Sequence, residues 1–281
     1  MEYVRATTLE DLRTHLQRSG ARIICGGTDL LVKMRHGMAA PDVLIDIGEL
    51  EELAKVQVID DEVHIGAATR ESILLRTPQV GDHLPLLCQV LQSLGAEQIR
   101  NRGSLGGNLA NASPAADSAI PLLLYDARLR LVDATQDRWV SIDEFLLGPG
   151  KTVLSSGEFI HTVAIPFQPP EWRAFYHKVG RRRALIISIA SLGVLIDYQD
   201  GVVHEIRVAA GSVAPTAIRL RAVEELLAGR ALSKGLIEEA RLLASASVCP
   251  INDIRATETY RRTVVGNLLE RFLMSLLDPM A

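Results

Sequence analysis

The hydrophobic and polar positions of the first fifty residues follow helical spacing and strand-like spacing in turn. Leucines recur at every third or fourth position behind Thr8, which can cap a helix together with Asp11, and Gly20 ends that pattern. Short apolar runs at 22–25, just before the pair Gly26-Gly27, and at 43–47 suit strands. The pattern therefore predicts a helix behind Thr8, a strand at 22–25, a glycine turn at 26–28, a helix at 29–36 and a strand at 43–47.

The middle of the chain also alternates between helical and strand-like spacing, except for one stretch that shows neither. The predicted elements are a strand at 63–67, a helical turn at 71–76, a helix at 83–94, a hairpin of strands 128–132 and 138–142, and a strand at 159–165. Between 101 and 117 no hydrophobic period survives, and glycine, asparagine and serine dominate. We expect a long loop there. Loops of this length are usually functional or disordered, and the apolar residues on both sides favour a functional loop here.

A change of pattern after Pro169-Pro170 marks a domain boundary. Two β-rich runs follow at 185–196 and 202–210, joined by Asp200-Gly201, a strong hairpin signal. Helices are predicted at 222–228, 236–247 and 259–277. In the last helix every fourth residue is apolar, which predicts one face toward a core, formed by Tyr260, Val264, Leu268, Phe272 and Leu276.

Composition and charge narrow the class of protein. The 281 residues are 48% hydrophobic and 23% charged, which is ordinary for a globular chain of two domains, and the net charge of −4 calls for neither nucleic acid nor an anionic membrane. No uncharged apolar stretch is long enough to span a membrane, and the charged N-terminus is unlike a signal peptide. The basic cluster of Lys178 and Arg181, Arg182 and Arg183 suits a solvated loop, with a docking surface as the alternative.

The cysteines and the enzyme motifs point away from metal and triphosphate chemistry. The chain has three cysteines, far apart and without a CxxC pair, so we expect no metal site and no disulfide framework, as in a reducing cytoplasm. The run from Gly148 to Thr152 resembles the end of a P-loop, but Phe145 stands where that motif needs glycine. The histidines have no ligand spacing, and the sequence offers no catalytic acid, base or nucleophile.

Two glycine pairs carry the functional signal. Residues 23–30 combine a strand, a glycine turn and a helix start, a geometry whose free N–H groups suit a pyrophosphate. Residues 104–108 place a second pair in the long loop, where glycine lets a backbone approach a ligand. Each segment alone can also be an ordinary turn. Together they favour a phosphate-bearing cofactor held between two layers.

Four segments resemble one family, the FAD-binding (medium) subunits of molybdenum hydroxylases. Residues 23–30 resemble its first flavin loop and 98–117 its longer second signature, while 210–219 and 253–262 resemble its two C-terminal signatures. The matches span nearly the whole chain in the family's order. The second signature is the most specific of the four.

The resemblance implies a cofactor-binding role for particular residues. We expect the first loop to contact the pyrophosphate and part of the flavin, and residues 104–108 to bind the pyrophosphate and approach the isoalloxazine. We also expect an apolar contact from Leu94, a ribose or adenine contact from Asp117, and further contacts from Ile160 and Lys178. Lys178 can also be an ordinary surface lysine. The expected cofactor-binding residues are Ile23, Ile24, Cys25, Gly26, Gly27, Thr28, Asp29, Leu30, Leu94, Ser104, Leu105, Gly106, Gly107, Asn108, Asp117, Ile160 and Lys178.

The resemblance also implies the architecture. The expected fold is α+β: a FAD-binding domain of the p-cresol methylhydroxylase type over 1–168, with subdomains of about 1–55 and 56–168 around the cofactor, then a small antiparallel sheet covered by helices over 170–281. Cys25 stands where most relatives carry a small residue, and we expect it to be buried and inert. The clustered cysteines of the branch that reduces aromatic acyl-CoA esters are missing from this sequence.

By the same resemblance, the chain is expected to relay electrons. It would bind FAD non-covalently, receive electrons from the [2Fe-2S] clusters of a small partner subunit, and pass them to NAD or another acceptor. The substrate would be oxidised in a large molybdopterin-binding subunit, within a cytoplasmic dimer of heterotrimers. Residues 148–151 are closest to purine-oxidising (xanthine dehydrogenase) members. Carbon monoxide, aldehyde or aromatic hydroxylase subunits, a stand-alone flavin oxidase, and a colourless assembly protein are the alternatives.

Overall fold

The computed structural model describes residues 1–181 and 187–277, in which helices and sheets are mixed. The strands are β1 Glu2–Arg5, β2 Ala21–Ile24, β3 Val43–Asp46, β4 Val56–Ile59, β5 Glu62–Gly66, β6 Arg128–Val132, β7 Asp137–Ser141, β8 Leu146–Gly148, β9 Lys151–Thr152, β10 Phe159–Pro166, β11 Arg173–Val179, β12 Ala190–Gln199, β13 Val202–Gly211, β14 Ile218–Arg219 and β15 Arg230–Ala231. The helices are α1 Leu9–Leu16, α2 Leu30–Arg35, α3 Glu71–Leu74, α4 Pro78–His83, α5 Pro85–Ser93, α6 Glu97–Arg100, α7 Leu105–Asn111, α8 Ala119–Leu124, α9 Ile142–Phe145, α10 Arg221–Leu227, α11 Lys234–Ala246 and α12 Glu258–Leu277, with a 3-10 turn at Glu51–Leu53. The mixture fits the expected α+β class.

Contacts between residues group the chain into two compact units. Unit 1 comprises Met1–Leu84, Gly95–Ala112 and Asp126–Phe167, and unit 2 comprises Pro85–Leu94, Ser113–Tyr125 and Gln168–Ala281. Two internal segments thus pack with the C-terminal residues. The sequence division at 168–170 stays a prediction. No helix in the part of the chain that the structure describes is long and apolar enough to cross a membrane.

The first sheet of unit 1 is parallel, in the order β1-β3-β2. Helix α1 follows β1 and begins at the predicted cap, where Thr8 accepts a hydrogen bond from the Asp11 N–H. Leu12 and Leu16, one helical turn apart, are buried in a core that includes Ile45 of β3. Gly20 was predicted to end this helix, but α1 already ends at Leu16 with Gln17 as its C-cap, and Gly20, at a φ of +69°, lies in the turn that leads into β2.

The second sheet of unit 1 is antiparallel, in the order β4-β5-β10-β6-β7. The predicted hairpin is confirmed as β6 and β7, and the predicted strand at 159–165 is β10. The edge strand β4 was not predicted, because its one polar residue between apolar neighbours gives too short a pattern.

Unit 2 contains a sheet in the order β11-β12-β13-β14, with β15 on the edge of β13. Asp200 and Gly201 both have positive φ and join β12 to β13, as the hairpin signal predicted. Helices α10, α11 and α12 share one buried core with this sheet. Residues 185 and 186, the start of the predicted strand at 185–196, lie outside the described residues, and β12 itself begins at Ala190.

One predicted feature is wrong, and two are correct only in part. The helix predicted at 83–94 is confirmed as α5, but it begins at Pro85, because Pro85 keeps Leu84 out of the helical region and His83 ends the preceding helix α4. The long loop at 101–117 contains α7, which is too short and too rich in glycine to show a helical period. The predicted apolar face of α12 is confirmed at Leu268, Phe272 and Leu276, which are buried, but not at Tyr260, which is exposed. The buried face also includes the neighbouring row Val265, Leu269 and Leu273, which was not predicted.

Candidate functional site

The first glycine turn, residues 25–29, leaves β2 and enters α2 with its backbone donors unused. Gly27 has a φ of +72°, a conformation that L side chains rarely adopt. Helix α2 starts with the bond from the Leu31 N–H to the Gly27 carbonyl at 3.2 Å. No described residue accepts a hydrogen bond from the N–H groups of residues 26–30. Consecutive free N–H groups at a turn form an anion-binding concavity.

The structure brings this turn against the start of the second glycine segment, within unit 1. A Cβ on Gly26 would lie 1.8 Å from the carbonyl oxygen of Arg102, so the two backbones touch at this position. The Gly103 carbonyl in turn accepts from the Glu71 N–H at 3.0 Å. Two motifs far apart in the sequence therefore form one cluster with the first residue of α3.

The second glycine segment uses its backbone donors internally. Ser104 caps α7 by accepting from the Gly107 N–H at 3.2 Å, and the Gly106 N–H donates to the Ala67 carbonyl at 2.9 Å. The N–H groups of Leu105 and Asn108 donate to carbonyls of the protein as well. A Cβ on Gly106 would lie 2.5 Å from the Ala67 side chain and 2.7 Å from its carbonyl oxygen. Close packing on Ala67 therefore requires glycine at 106 whether or not a cofactor is bound.

The other expected contacts of unit 1 surround the same cluster. Cys25 is half-buried rather than buried as expected, since it follows β2 and begins the turn, and its Sγ lies 3.8 Å from the Ala68 carbonyl oxygen. Burial raises the pKa of the Cys25 thiol above its usual value, so the protonated form dominates at neutral pH. Ile23, Ile24 and Thr28 are half-buried, and Asp29 is exposed. Ile160 is buried in β10, beside a register shift.

Three expected contacts lie in unit 2, where two of them bind each other. The Lys178 ammonium donates to Asp117 Oδ2 at 2.7 Å and to the Ser93 carbonyl at 2.8 Å, and the Tyr176 hydroxyl donates to Asp117 Oδ1 at 3.0 Å. Burial raises the pKa of Asp117, and the charge and hydrogen bond of Lys178 oppose this increase. Leu94 is buried at the end of α5. The roles of Leu94, Asp117 and Lys178 toward a cofactor stay predictions.

The C-terminal signatures hold unit 2 together through a buried arginine that sequence reasoning did not single out. Arg261 is 1% exposed, and it donates to the carbonyls of Ile189 and Ser212 and to Asp253 Oδ1 at 2.6, 2.9 and 2.7 Å. Burial raises the pKa of Asp253, but hydrogen bonds from Arg255, Arg261 and backbone N–H groups outweigh it and lower the pKa well below its usual value. The sequence signal that could have identified Arg261 is its position among the apolar residues of helix α12.

The predicted basic cluster is only partly described. Arg181 donates to the Ile254 carbonyl at 3.3 Å, whereas Arg182 and Arg183 lie outside the described residues. Within residues 1–181 and 187–277, no group of three or more His, Cys, Asp or Glu side chains could hold a metal ion.

The residues of unit 1 fit a dinucleotide cofactor such as FAD. The free N–H groups of 26–30 and the positive φ of Gly27 suit the two negative charges of a pyrophosphate. The half-buried apolar side chains of Ile23 and Ile24 lie on the strand that leads into this turn. The turn can therefore bind and orient the cofactor's phosphates.

Family models match the two parts of the chain in order. Residues 1–168 match the FAD binding domain in molybdopterin dehydrogenase, and residues 174–276 match the CO dehydrogenase flavoprotein C-terminal domain. A putative xanthine dehydrogenase FAD-binding subunit of Escherichia coli is 32% identical over 96% of this chain and 94% of its own length. The carbon monoxide dehydrogenase medium chain of Hydrogenophaga pseudoflava is 32% identical over 91% of this chain and 88% of its own.

Solved structures agree with the family models. Carbon monoxide dehydrogenase from Hydrogenophaga pseudoflava has a chain 31% identical to this one, with a TM-score of 0.92 over 96% of this chain and 95% of that one. This similarity confirms the expected two-part α+β fold. Because the two models together match most of the residues and relatives at 32% identity extend over nearly all of them, the chain belongs to the family of FAD-binding (medium) subunits of molybdenum-dependent hydroxylases.

Proposed function

We propose that this chain relays electrons within a molybdenum hydroxylase, from the [2Fe-2S] clusters of a small partner subunit through its own FAD to NAD or another acceptor. A large molybdopterin-binding subunit would oxidise the substrate. The observation that carries the proposal is the match of family models to both parts of the chain, at 1–168 and 174–276. Relatives named as xanthine dehydrogenase FAD-binding subunits and carbon monoxide dehydrogenase medium chains support it.

The chain's own residues bind and orient the cofactor in this proposal. FAD supplies the redox chemistry when bound, because its ring system accepts and donates electrons. The N–H groups of 26–30 hold the pyrophosphate, and the packing of Gly26 on Arg102 fixes the shape of the turn. Residues 104–108 support the turn from the second glycine segment. Because their backbone donors are used within the protein, any direct contact that they make with the cofactor comes from their side chains. Leu94, Asp117, Ile160 and Lys178 are proposed as further contacts.

The proposed substrate of the complex is a purine of the xanthine type. The support is the pair of Escherichia coli xanthine dehydrogenase FAD-binding subunits, each 32% identical to this chain over 274 residues. The carbon monoxide dehydrogenase medium chain has the same identity, and the nicotine 6-hydroxylase medium subunit of Paenarthrobacter nicotinovorans is 29% identical. Carbon monoxide and nicotine are therefore the competing substrate candidates. We place the complex in the cytoplasm, in agreement with three free cysteines. Its proposed assembly is a dimer of heterotrimers.

Anaerobic reduction of the flavin tests the relay. The isolated FAD-loaded chain is mixed with xanthine, carbon monoxide or nicotine, and the flavin absorbance is followed. We expect no bleaching by any of them, and rapid bleaching by one of them after the molybdenum and iron–sulfur subunits are added. Rapid bleaching of the isolated chain would favour a stand-alone oxidase. Mass spectrometry of the proteins that co-purify with the chain identifies the two subunits and thereby the substrate class to test first.

A further inference from the structure

Three side chains of unit 2 form a buried cluster around the Asp117 carboxylate. Tyr176 and Lys178 lie two residues apart on β11 and therefore on the same face of the sheet. The Tyr176 hydroxyl donates to Asp117 Oδ1 at 3.0 Å, and the Lys178 ammonium donates to Asp117 Oδ2 at 2.7 Å. Tyr176 and Asp117 are each 7% exposed, and the Lys178 side chain is 5% exposed. The carboxylate thus has one donor on each of its two oxygens.

The packing of α8 on the sheet brings Asp117 to these donors. Asp117 lies two residues before α8 begins, and Gly193 of β12 pairs with Tyr176 in the sheet. A Cβ on Gly193 would lie 2.5 Å from the Ile120 side chain and 3.0 Å from that of Leu124, so α8 sits directly on the backbone of the strand. A larger residue at this position would push α8, and the carboxylate with it, away from β11.

Lys178 neutralises the charge of the carboxylate but does not by itself fix its direction. The Lys178 ammonium also donates to the Ser93 carbonyl at 2.8 Å, at the C-terminal end of α5, where a positive charge is favourable. An ion pair through one oxygen leaves the Asp117 carboxylate free to rotate, so that both of its oxygens can turn toward the ammonium. The hydrogen bond from Tyr176 to the other oxygen opposes that rotation.

The carboxylate held in this way keeps acceptor capacity for a ligand. An ionised carboxylate offers about four acceptor sites, and Tyr176 and Lys178 occupy one on each oxygen of Asp117. Among the residues that the structure describes, no other side chain or backbone N–H donates to it. Burial, and then the charge of Asp117, raise the pKa of Tyr176 well above its usual value, so Tyr176 stays protonated and remains a donor.

We propose that Tyr176 is a positioning residue for the cofactor, because it holds Asp117 in the orientation that accepts a hydrogen bond from a hydroxyl of bound FAD, such as a ribose hydroxyl. This inference rests on the proposed function, in which Asp117 contacts the cofactor. Tyr176 acts through Asp117 and does not itself need to touch FAD. A tyrosine that only filled the core would contribute to folding alone, and removal of its hydroxyl would leave FAD affinity unchanged.

Tyr176→Phe tests the inference, because it removes the hydroxyl and keeps the ring. In the full chain freed of flavin, the Kd for FAD measured by fluorescence quenching should rise about tenfold, as expected for a lost hydrogen bond to a charged group. Tyr125→Phe is the matched control. The Tyr125 hydroxyl is also buried within unit 2, where it accepts from the Leu86 N–H at 3.1 Å and donates to Gln168 at 3.0 Å. This control should lose stability in urea but bind FAD with the wild-type Kd.

The pH dependence of the Kd supplies a second measurement. Burial raises the pKa of Asp117, and the charge of Lys178 and the hydrogen bonds from Lys178 and Tyr176 oppose this increase, so loss of the Tyr176 hydroxyl raises the pKa further. In the described part of the chain these two are the charged or titratable groups that act on Asp117, and α5, α8 and β12 add none. A hydroxyl of FAD binds the ionised carboxylate better than the protonated form.

The ratio of the Kd of Tyr176→Phe to that of the wild type should therefore grow as the pH falls from about 8 to about 5.5. In an Asp117→Asn background the same ratio should be independent of pH, because the amide does not titrate. Circular dichroism and urea unfolding establish that each variant is folded.

An unchanged Kd for folded Tyr176→Phe, an increase that Tyr125→Phe reproduces, or a ratio that stays constant with pH overturns the inference. Wild-type affinity in Asp117→Asn also overturns it, since Asp117 then makes no contact for Tyr176 to position, while FAD binding and the electron relay stand. If the wild-type chain binds no FAD, the proposed function itself fails.

Discussion

The absence of a side chain at Gly26 is a packing requirement that can be tested directly. Its missing Cβ would lie 1.8 Å from the Arg102 carbonyl oxygen and 2.3 Å from the carbonyl carbon, and backbone atoms cannot turn aside as a flexible side chain can. We expect Gly26→Ala to separate the two glycine segments, lower the free energy of unfolding by about 1–3 kcal/mol and reduce FAD retention. The measurements are urea unfolding of the FAD-free chain and flavin content after gel filtration.

Gly81 provides the matched control for this substitution. It lies in α4, has no positive φ, and an added Cβ would meet nothing within 4 Å. Gly81→Ala should leave FAD retention unchanged and stabilise the helix by up to about 1 kcal/mol. Equal unfolding midpoints and flavin contents for the two variants would contradict the packing argument.

A second prediction at the residue scale concerns Asp253, whose carboxylate neutralises the buried Arg261. Asp253→Asn leaves the arginine charge without its partner, so we expect a loss of about 3 kcal/mol in the free energy of unfolding, near the low end for a broken buried pair because Asp253 is partly exposed. The pKa of Asp253 is lower in the folded state than in the unfolded chain, so its stabilisation is present above about pH 4 and is lost as the pH falls further. Urea unfolding of wild type and variant across pH 3–7 should show the difference between them shrink toward the acid end. A difference independent of pH would contradict the assignment.

At the scale of elements, helix α7 replaces the predicted loop and changes what Ser104 does. Its hydroxyl oxygen accepts from the Gly107 N–H, which is the geometry of a helix cap. We expect Ser104→Ala to cost about 1 kcal/mol of stability in the FAD-free chain. If Ser104 also contacts FAD, the Kd for FAD measured by fluorescence quenching rises as well. Ser104→Thr keeps a capping oxygen and should restore most of the stability. Unchanged stability of the FAD-free Ser104→Ala variant would exclude the cap.

Elements were predictable where one local signal decides the conformation. The Thr8 cap, the Asp200-Gly201 hairpin and the paired strands β6 and β7 each depend on a few neighbouring residues. Helix α7 was missed because its glycines lower helix propensity, and only contacts with Ala67 and Thr69, nearly forty residues away, hold its first turn in place. Short strands were missed for a similar reason, since β1 forms by pairing with β3 rather than from its own pattern.

The candidate site, too, was predictable where a local sequence signal exists and not where contacts between distant residues decide. The glycine turn at 26–28 was identifiable because a strand, two glycines and a helix start are contiguous in the sequence. The packing of Gly26 on Arg102 was not, since no local pattern records a contact between segments about 76 residues apart. Nor did the sequence indicate that Lys178 and Asp117 bind each other, because they are 61 residues apart and Lys178 looks like part of a basic surface cluster until β11 is in place.

At the scale of the whole molecule, the expected non-covalent binding of FAD is a consequence of what the turn offers. The segment 23–30 has no histidine or tyrosine, and its one thiol, Cys25, has a pKa raised by burial, so little of the reactive thiolate forms at neutral pH. In the proposed binding mode, the free N–H groups of 26–30 would hold the pyrophosphate by hydrogen bonds, which acid denaturation breaks. Precipitation of the purified chain with acid should therefore release the yellow colour into the supernatant, where it should run as FAD in chromatography. Cys25→Ser should release the same amount and serves as the control. Colour that stays in the wild-type pellet but leaves it in Cys25→Ser would show a covalent bond to Cys25, and release of FMN would show that the cofactor is not the dinucleotide that the turn is built to hold.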